Sequence, residues 1–136
     1  MEKLDFRISD PLGEDLIMTN EKNLSDYLDM PSDHWESGSG DSALWKNETD
    51  GLLFFKTGNE FFVMELGSYL SPIQNQEKLK WIKHYIGGDQ FHCSSRHLCS
   101  KETLMKILLN YVKTSELLSE FEWADPLPDE DLFKEE

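Results

Sequence analysis

The sequence has few basic residues for its size. Lysine and arginine number 13 against 27 aspartates and glutamates, which gives a formal net charge of −14 at pH 7. Binding to nucleic acid through its phosphates requires a basic surface that releases counterions, so this composition argues against nucleic acid as a partner. It favours a basic partner instead, because opposite charges attract.

Long apolar runs, internal repeats and a cysteine framework are also missing. No run approaches the roughly 20 apolar residues that span a bilayer, and residues 1–7 lack the apolar core of a signal peptide. The 2 cysteines, Cys93 and Cys99, are too few for a disulfide scaffold, and we expect reduced thiols. These features predict a cytoplasmic protein that makes no use of a membrane. A chain of 136 residues suits one domain.

The acids are unevenly distributed along the chain. Residues 1–50 hold 13 acids against 4 bases and residues 107–136 hold 9 against 2, whereas residues 78–106 hold 6 bases against 2 acids. Two interpretations remain open: a solvated surface that keeps the protein in solution, and a surface that steers a partner. Residues 1–123 are predicted to form a single domain. Residues 124–136, which are rich in acids and proline, are predicted to form an acidic tail with a composition typical of disordered segments.

The longest helical period lies at residues 101–113. Apolar residues recur there at the three-and-four spacing that places them on one face of a helix. Ser100 precedes the pattern as an N-cap, and Glu102 suits the positive end of the helix dipole. A single apolar face indicates a helix that covers one face of a sheet. The residues on this face are Leu104, Ile107, Leu108, Tyr111 and Val112.

Strand patterns occupy most of the remaining chain. Short runs of alternating, β-branched or aromatic residues are separated by turn formers, and Asn20 caps a short N-terminal helix that extends to Leu28. We therefore predict an α+β fold: a mostly antiparallel sheet with the main C-terminal helix packed on one face. The predicted strands are 4–9, 14–19, 51–56, 60–66, 78–86 and 91–98, with 67–76 as loop and 121–123 as an extended segment that returns to the sheet.

Residues 32–41 combine turn formers with one large aromatic residue, Trp35. Their Ser-Gly-Ser-Gly stretch lacks the lysine and the following helix pattern of a phosphate-binding loop. Two roles for Trp35 remain open. It is either a buried anchor in a complex, with Asp33, Glu36 and Asp41 as its charged surroundings, or a side chain that folds back over the edge of the sheet.

His92, Cys93, His97 and Cys99 lie within eight residues of one another. Thiolate and imidazole are zinc ligands, but the spacing matches no common zinc motif, and strand alternation would place His92 on the opposite face from the other three. A cysteine nucleophile would require a lowered pKa, an orienting group and an oxyanion pocket, and the spacing indicates none of them. We expect no metal, no cofactor and no enzymatic activity.

Residues 85–123 contain a recognisable order of features. An aromatic strand comes first, followed by a glycine turn, a second strand and a helix that begins at a small polar residue. An aromatic residue, a threonine and a tryptophan come last. This order resembles the closing half of an immunity-protein family encoded beside bacterial polymorphic toxins, particularly those with nucleic-acid deaminase domains. The chain departs from the family at Ser115 and Leu118, where the family has glycine and proline. The matching positions are Tyr85, Gly87, Gly88, Phe91 to Leu98, Ser100, Tyr111, Thr114 and Trp123.

The resemblance implies an immunity protein, or antitoxin, of a polymorphic toxin or contact-dependent inhibition system. Such a protein binds its cognate toxin domain and blocks the active site without catalysis. The acidic composition agrees with this role, because toxins that act on nucleic acid carry basic clefts. One alternative is an acidic adaptor or regulatory domain unrelated to toxins, and another is a small metal-binding protein built on the histidine and cysteine cluster.

Overall fold

The computed structural model describes residues 6–73, 81–86 and 89–126. The predicted turn at Gly87 and Gly88, residues 78–80 of a predicted strand and most of the predicted acidic tail lie outside the described residues. The helices are α1 Glu21–Leu28, α2 Ser32–Trp35 and α3 Lys101–Thr114, with a 3-10 helix at Ser95–His97. The strands are β1 Phe6–Ser9, β2 Asp15–Met18, β3 Ser42–Trp45, β4 Gly51–Thr57, β5 Glu60–Glu65, β6 Ser71–Pro72, β7 Trp81–Ile86, β8 Asp89–Ser94, β9 Leu98–Cys99 and β10 Trp123–Ala124.

A six-stranded antiparallel sheet forms the centre of the fold, in the order β2-β1-β3-β4-β5-β9. The predicted hairpins at the start of the chain and at residues 51–66 are both present. The α+β fold predicted from the sequence is confirmed, because helices and an antiparallel sheet occur in one chain. No helix of the described residues is long and apolar enough to cross a membrane.

Different elements pack on the two faces of the six-stranded sheet. Side chains alternate across a strand, so Phe54 lies on one face while Phe55 and its cross-strand partner Phe62 lie on the other. Trp35 of α2 packs against Phe54, and α1 contacts α3, which places the helices on the first face. On the second face the imidazole of His84 stacks on Phe55, with ring centroids 4.1 Å apart.

Helix α3 begins where the sequence predicts. The Ser100 hydroxyl accepts the backbone N–H of Thr103 at 3.2 Å, which satisfies a first-turn donor. The helix ends at Thr114, and Ser115 follows in the left-handed conformation with φ 61°. Its N–H donates to the Tyr111 carbonyl at 2.8 Å and so closes the helix end. The buried residues of the helix are Leu104, Ile107, Leu108 and Tyr111.

The prediction that residues 78–86 belong to the main sheet is wrong. Strands β7 and β8 form a separate two-stranded sheet, and it packs over β4 and β5 on the face opposite the helices. The alternation of lysine with apolar residues predicts a strand with one solvent-exposed face, and Lys83 is exposed while His84 is buried. The pattern does not specify which strand becomes the hydrogen-bonding partner, and here the partner is the next strand in the chain.

Two further strand predictions require correction. Residues 91–98 do not form one strand, because the Ser94 hydroxyl accepts the N–H of Arg96 at 3.3 Å and starts the 3-10 helix before β9. The segment predicted to return to the sheet at 121–123 instead forms β10, which pairs with β6 in a second two-stranded sheet. Strand β6 lies within the predicted loop 67–76, and β3 has no counterpart in the prediction.

Candidate protein-binding surface

The structure places the four predicted site residues in different environments. Asp33 and Glu36 are exposed and Asp41 is half-buried, whereas Trp35 is 0% exposed. The indole Nε1 of Trp35 donates to the Met30 carbonyl at 3.1 Å, and the ring packs on the sheet. Of the two roles considered for Trp35, the structure shows the one in which the side chain folds back. Trp35 is therefore not accessible to a partner in this structure.

A tight contact joins the loop of residues 36–41 to the turn of the first hairpin. The Pro11 carbonyl accepts the backbone N–H of Ser39 at 2.8 Å and its hydroxyl at 3.2 Å. Gly38 has φ 51°, and a Cβ at that position would lie 2.0 Å from the Pro11 oxygen, so only glycine permits the contact. The Asp10 carboxylate holds the turn itself by accepting the N–H of Glu14 at 2.9 Å. The acid-rich loop and the acid-rich turn are thus adjacent.

Most acids of this region are exposed; Asp10 is buried and Asp41 is half-buried. Residues 10–41 hold 9 acids and 1 base. Three acids form ion pairs with N···O distances of 3.9 Å for Asp15, 3.6 Å for Asp26 and 2.8 Å for Asp29, and such exposed pairs contribute little to stability. The other exposed acids form no ion pair with any described residue. We define the N-terminal acidic surface as Glu14, Asp15, Glu21, Asp26, Asp29, Asp33 and Glu36.

Exposed apolar side chains lie within the same region. Among the described residues the exposed large hydrophobics are Leu12 and Ile17, both at 65%, Met30 at 38% and Tyr69 at 61%. The first three belong to residues 10–41. Ile17 and Met30 line a shallow groove of about 390 Å³ between β2 and α1, called the β2 groove below, which is also lined by Leu16, Met18, Asn23, Asp26 and Tyr27. Apolar side chains surrounded by acids are typical of a protein-binding surface.

An ordered cluster extends this region across the neighbouring sheet face. The Arg7 guanidinium lies 5.7 Å from the centroid of the half-buried Trp45 ring, close enough for a cation–π contact. The Trp45 indole donates to the Ser9 hydroxyl at 2.6 Å, and that hydroxyl donates to the Asp15 carboxylate at 3.3 Å. Arg7 is directly opposite Ile17 in the β1–β2 register. Tryptophan and arginine are common in interface centres, and these two are held in place before any partner arrives.

The buried Cys99 and His97 lie elsewhere and do not form a nucleophilic pair. Burial, with a smaller effect from the Glu60 carboxylate, raises the pKa of the Cys99 thiol to about 12. A cysteine nucleophile needs the opposite shift, because the thiolate is the reactive form. His97 belongs to the 3-10 helix, so strand alternation does not relate it to Cys99. Among the described residues, no three His, Cys, Asp or Glu side chains are grouped to hold a metal ion.

The buried His97 is expected to make stability depend on pH between about 4 and 6.5. Burial, with a smaller effect from Arg96, lowers the pKa of His97 from 6.5 to about 4. The Pro72 backbone and Asp125 raise the pKa, but their effects are weaker. The unfolded chain therefore binds more protons in this window. The contribution is fully present above pH 6.5 and is lost as pH falls to 4, an effect of about 3 kcal/mol.

Urea denaturation at several pH values would measure this effect in the wild type and in His97→Gln, which cannot take up the proton. From pH 7 to pH 4 the free energy of unfolding of the wild type should fall by about 3 kcal/mol more than that of the variant. Parallel curves would show that His97 titrates alike in the folded and unfolded chains.

Asp33 and Glu36 of this surface and the acid-rich first 50 residues were identified from the sequence, whereas the apolar and aromatic members were missed. Leu16, Ile17 and Met18 form a continuous apolar run, which predicts a strand without showing which side chain stays exposed. Trp45 lies in β3, a strand that the pattern did not reveal. The signal that was available is the high local density of acids around an apolar strand.

Comparison with known proteins gives no relative for this chain: no family model matches it, and no curated protein matches it. The features of the chain that indicate a function are the N-terminal acidic surface, the β2 groove and the resemblance over residues 85–123.

Proposed function

We propose that this protein is an immunity protein that binds a basic toxin domain and blocks its active site. The observation that carries the proposal is the N-terminal acidic surface, in which exposed acids surround the exposed Leu12, Ile17 and Met30. Opposite charge accelerates the encounter with a basic cleft, and apolar contacts then supply affinity. The inhibitor acts by occupying the cleft, which needs no chemistry of its own.

The closing half of the chain supports the proposal through its order of elements. Strands β7 and β8, helix α3 with Ser100 as N-cap, and an extended segment at Trp123 follow one another in the order that the resemblance implies. The second strand ends at Ser94 instead of Leu98, and a 3-10 helix follows it. Ser115 occupies the position of the family's glycine, and its φ of 61° lies in the region that glycine favours. The departure in sequence therefore leaves a glycine-like turn at this position.

The most direct test is co-expression with the product of the neighbouring reading frame. We expect that product alone to stop growth, and growth to resume when this protein is co-expressed. The two proteins should also purify together. Failure of both rescue and co-purification would overturn the proposal. Capture of a different basic protein by the same surface would favour the acidic adaptor instead.

Charge reversal of the acidic surface is expected to slow association with the toxin domain. In the triple variant Glu14→Lys, Asp33→Lys and Glu36→Lys, the association rate constant should fall about tenfold or more at low salt, because steering acts before contact. The difference should shrink above physiological salt, where the Debye length falls below about 8 Å. Stability should change little, since all three side chains are exposed. Surface plasmon resonance at two salt concentrations measures the rates.

A matched variant separates local steering from total charge. Glu60→Lys, Glu116→Lys and Glu122→Lys change three exposed acids outside the N-terminal acidic surface and shift the net charge by the same amount. The proposed surface requires this variant to associate close to the wild-type rate. If both triple variants slow association equally, the effect comes from net charge, and the N-terminal surface has no special role.

A further inference from the structure

Among the strands that the structure describes, β2 has a free edge. It pairs with β1 on one side, and no strand of the described residues pairs with its other side. Edge strands present unpaired N–H and C=O groups, and proteins usually protect such edges with lysine, proline or a bulge. The sequence of β2 is Asp15-Leu16-Ile17-Met18, and its register with β1 is regular from Phe6↔Met18 to Ser9↔Asp15. Strand β2 contains no lysine, proline or bulge, and it is protected only by its length of four residues and by one charged side chain, Asp15.

The β2 groove keeps α1 beside this edge in a fixed position. The Asn23 side chain accepts the backbone N–H of Thr19 at 3.1 Å and the Thr19 hydroxyl at 2.9 Å. This contact fixes the connection between β2 and α1. The outer wall of the groove carries exposed Asp26 and Met30, and exposed Ile17 lies on the strand itself. The groove therefore offers backbone, apolar and acidic groups side by side.

Charge decides what can occupy the groove. Glu14 and Asp15 lie at the start of β2, and Asp26 lies on the opposite wall. A second copy of this chain would bring a further set of acids to a surface that is already acidic, and repulsion between like charges disfavours such a pair. A segment with lysine or arginine beside an apolar residue meets the acids with opposite charge and covers Ile17.

We propose that an extended basic segment of the partner adds to the sheet along the free edge of β2. Backbone hydrogen bonds to Asp15 and Ile17, whose N–H and C=O groups point away from β1, supply affinity. Apolar side chains of the segment against Ile17 on one face of the sheet and against Met30 on the other fix the register. Basic side chains of the segment pair with Asp26 and with the acids at the start of β2. This docking mode rests on the proposed function, because the partner is the toxin domain.

Amide hydrogen exchange tests this mode, with the toxin domain encoded beside this gene as the probe. The backbone amides of β2 that face the groove should exchange at least about tenfold more slowly in the complex than in the free protein, because a new ladder protects them. Ile17→Lys, which places a positive charge where a basic segment docks, should weaken binding about tenfold or more. Tyr69→Lys changes a side chain of similar exposure, 61% against 65%, outside the groove and should leave affinity within about twofold.

Each outcome separates the docking mode from the proposed function. The complex could form and restore growth while the β2 amides stay unprotected and Ile17→Lys binds normally. This result would overturn the docking mode and leave the proposed function standing. No complex at all overturns both. If the β2 amides become protected when the concentration of this protein is raised without the toxin domain, the edge pairs with a second copy of the chain. That result would overturn the proposal of a basic partner segment at this edge.

Discussion

Replacement of Trp35 by alanine is expected to lower the free energy of unfolding by about 3 to 5 kcal/mol, the range for a large aromatic side chain removed from a core. The indole is 0% exposed, with its centroid 5.4 Å from the Tyr27 ring and 6.0 Å from the Phe54 ring. It also meets Phe61 edge-on at 6.3 Å. Alanine leaves the Met30 carbonyl without the indole donor, which adds to the cost.

Urea denaturation followed by far-ultraviolet circular dichroism would measure this loss. Trp35→Phe keeps an aromatic ring in the cavity and should lose much less than alanine. Asp33→Ala, an exposed change two residues away, should stay within about 0.5 kcal/mol of the wild type. An unchanged midpoint for Trp35→Ala would mean that the side chain is not part of the core, and Trp35 would again be a candidate anchor for the partner.

The position of Trp35 shows why a loop aromatic is difficult to assign from sequence. Its neighbours in sequence are turn formers, which predict an exposed loop. Tyr27 of α1 covers one side of the ring, and the sheet residues that complete its burial come from β4 and β5, about twenty and more positions later in the chain. Burial depends on these distant partners, whereas turn patterns describe only the local chain.

Local signals account for the parts of the fold that the sequence predicted correctly. The spacing of apolar residues and the Ser100 cap determine α3, and the Asn20 side chain caps α1 by accepting the N–H of Asn23 at 2.9 Å. These interactions connect residues three or four positions apart, so a single sequence contains them.

Pairing between distant segments accounts for most of the errors. Strand β3 is four residues long and pairs with β1 and β4, so its existence depends on both neighbours. The alternating pattern of residues 78–86 predicts a strand of the main sheet, but such a pattern does not specify the partner, which is β8. The position of the β7–β8 hairpin depends on His84, whose Nε2–H donates to the Gly40 carbonyl at 2.7 Å.

The candidate site was predictable in its charge and not in its shape. Composition located the acids in the first 50 residues, and the structure gathers several of them around the first hairpin and α1. Ile17 is exposed because no described residue covers its face of β1 and β2; the β7–β8 hairpin packs over β4 and β5 instead. Such an open face is a property of the whole fold.

Replacement of Leu108 by alanine should lower the free energy of unfolding by about 2 to 5 kcal/mol. Leu108 is 0% exposed and lies on the buried face of α3 with Leu104 and Ile107, so the cavity left by alanine cannot fully collapse. Urea denaturation provides the measurement. Lys106→Ala, on the exposed face of the same helix, should change stability by no more than about 0.5 kcal/mol. An unchanged midpoint for Leu108→Ala would show that this helix face does not pack on the sheet.

The Leu108 variant also tests how α3 supports the candidate binding surface. Lys101 at the start of α3 forms an ion pair with Asp29, just after α1, at 2.8 Å, and the two helices contact each other. Loosened packing of α3 should therefore make the amides of α1 exchange faster in the free protein. Because α1 forms one wall of the β2 groove, Leu108→Ala is expected to weaken binding of the proposed partner although its side chain is fully buried. Wild-type exchange in α1 together with reduced stability would show that the groove is held by the first hairpin alone.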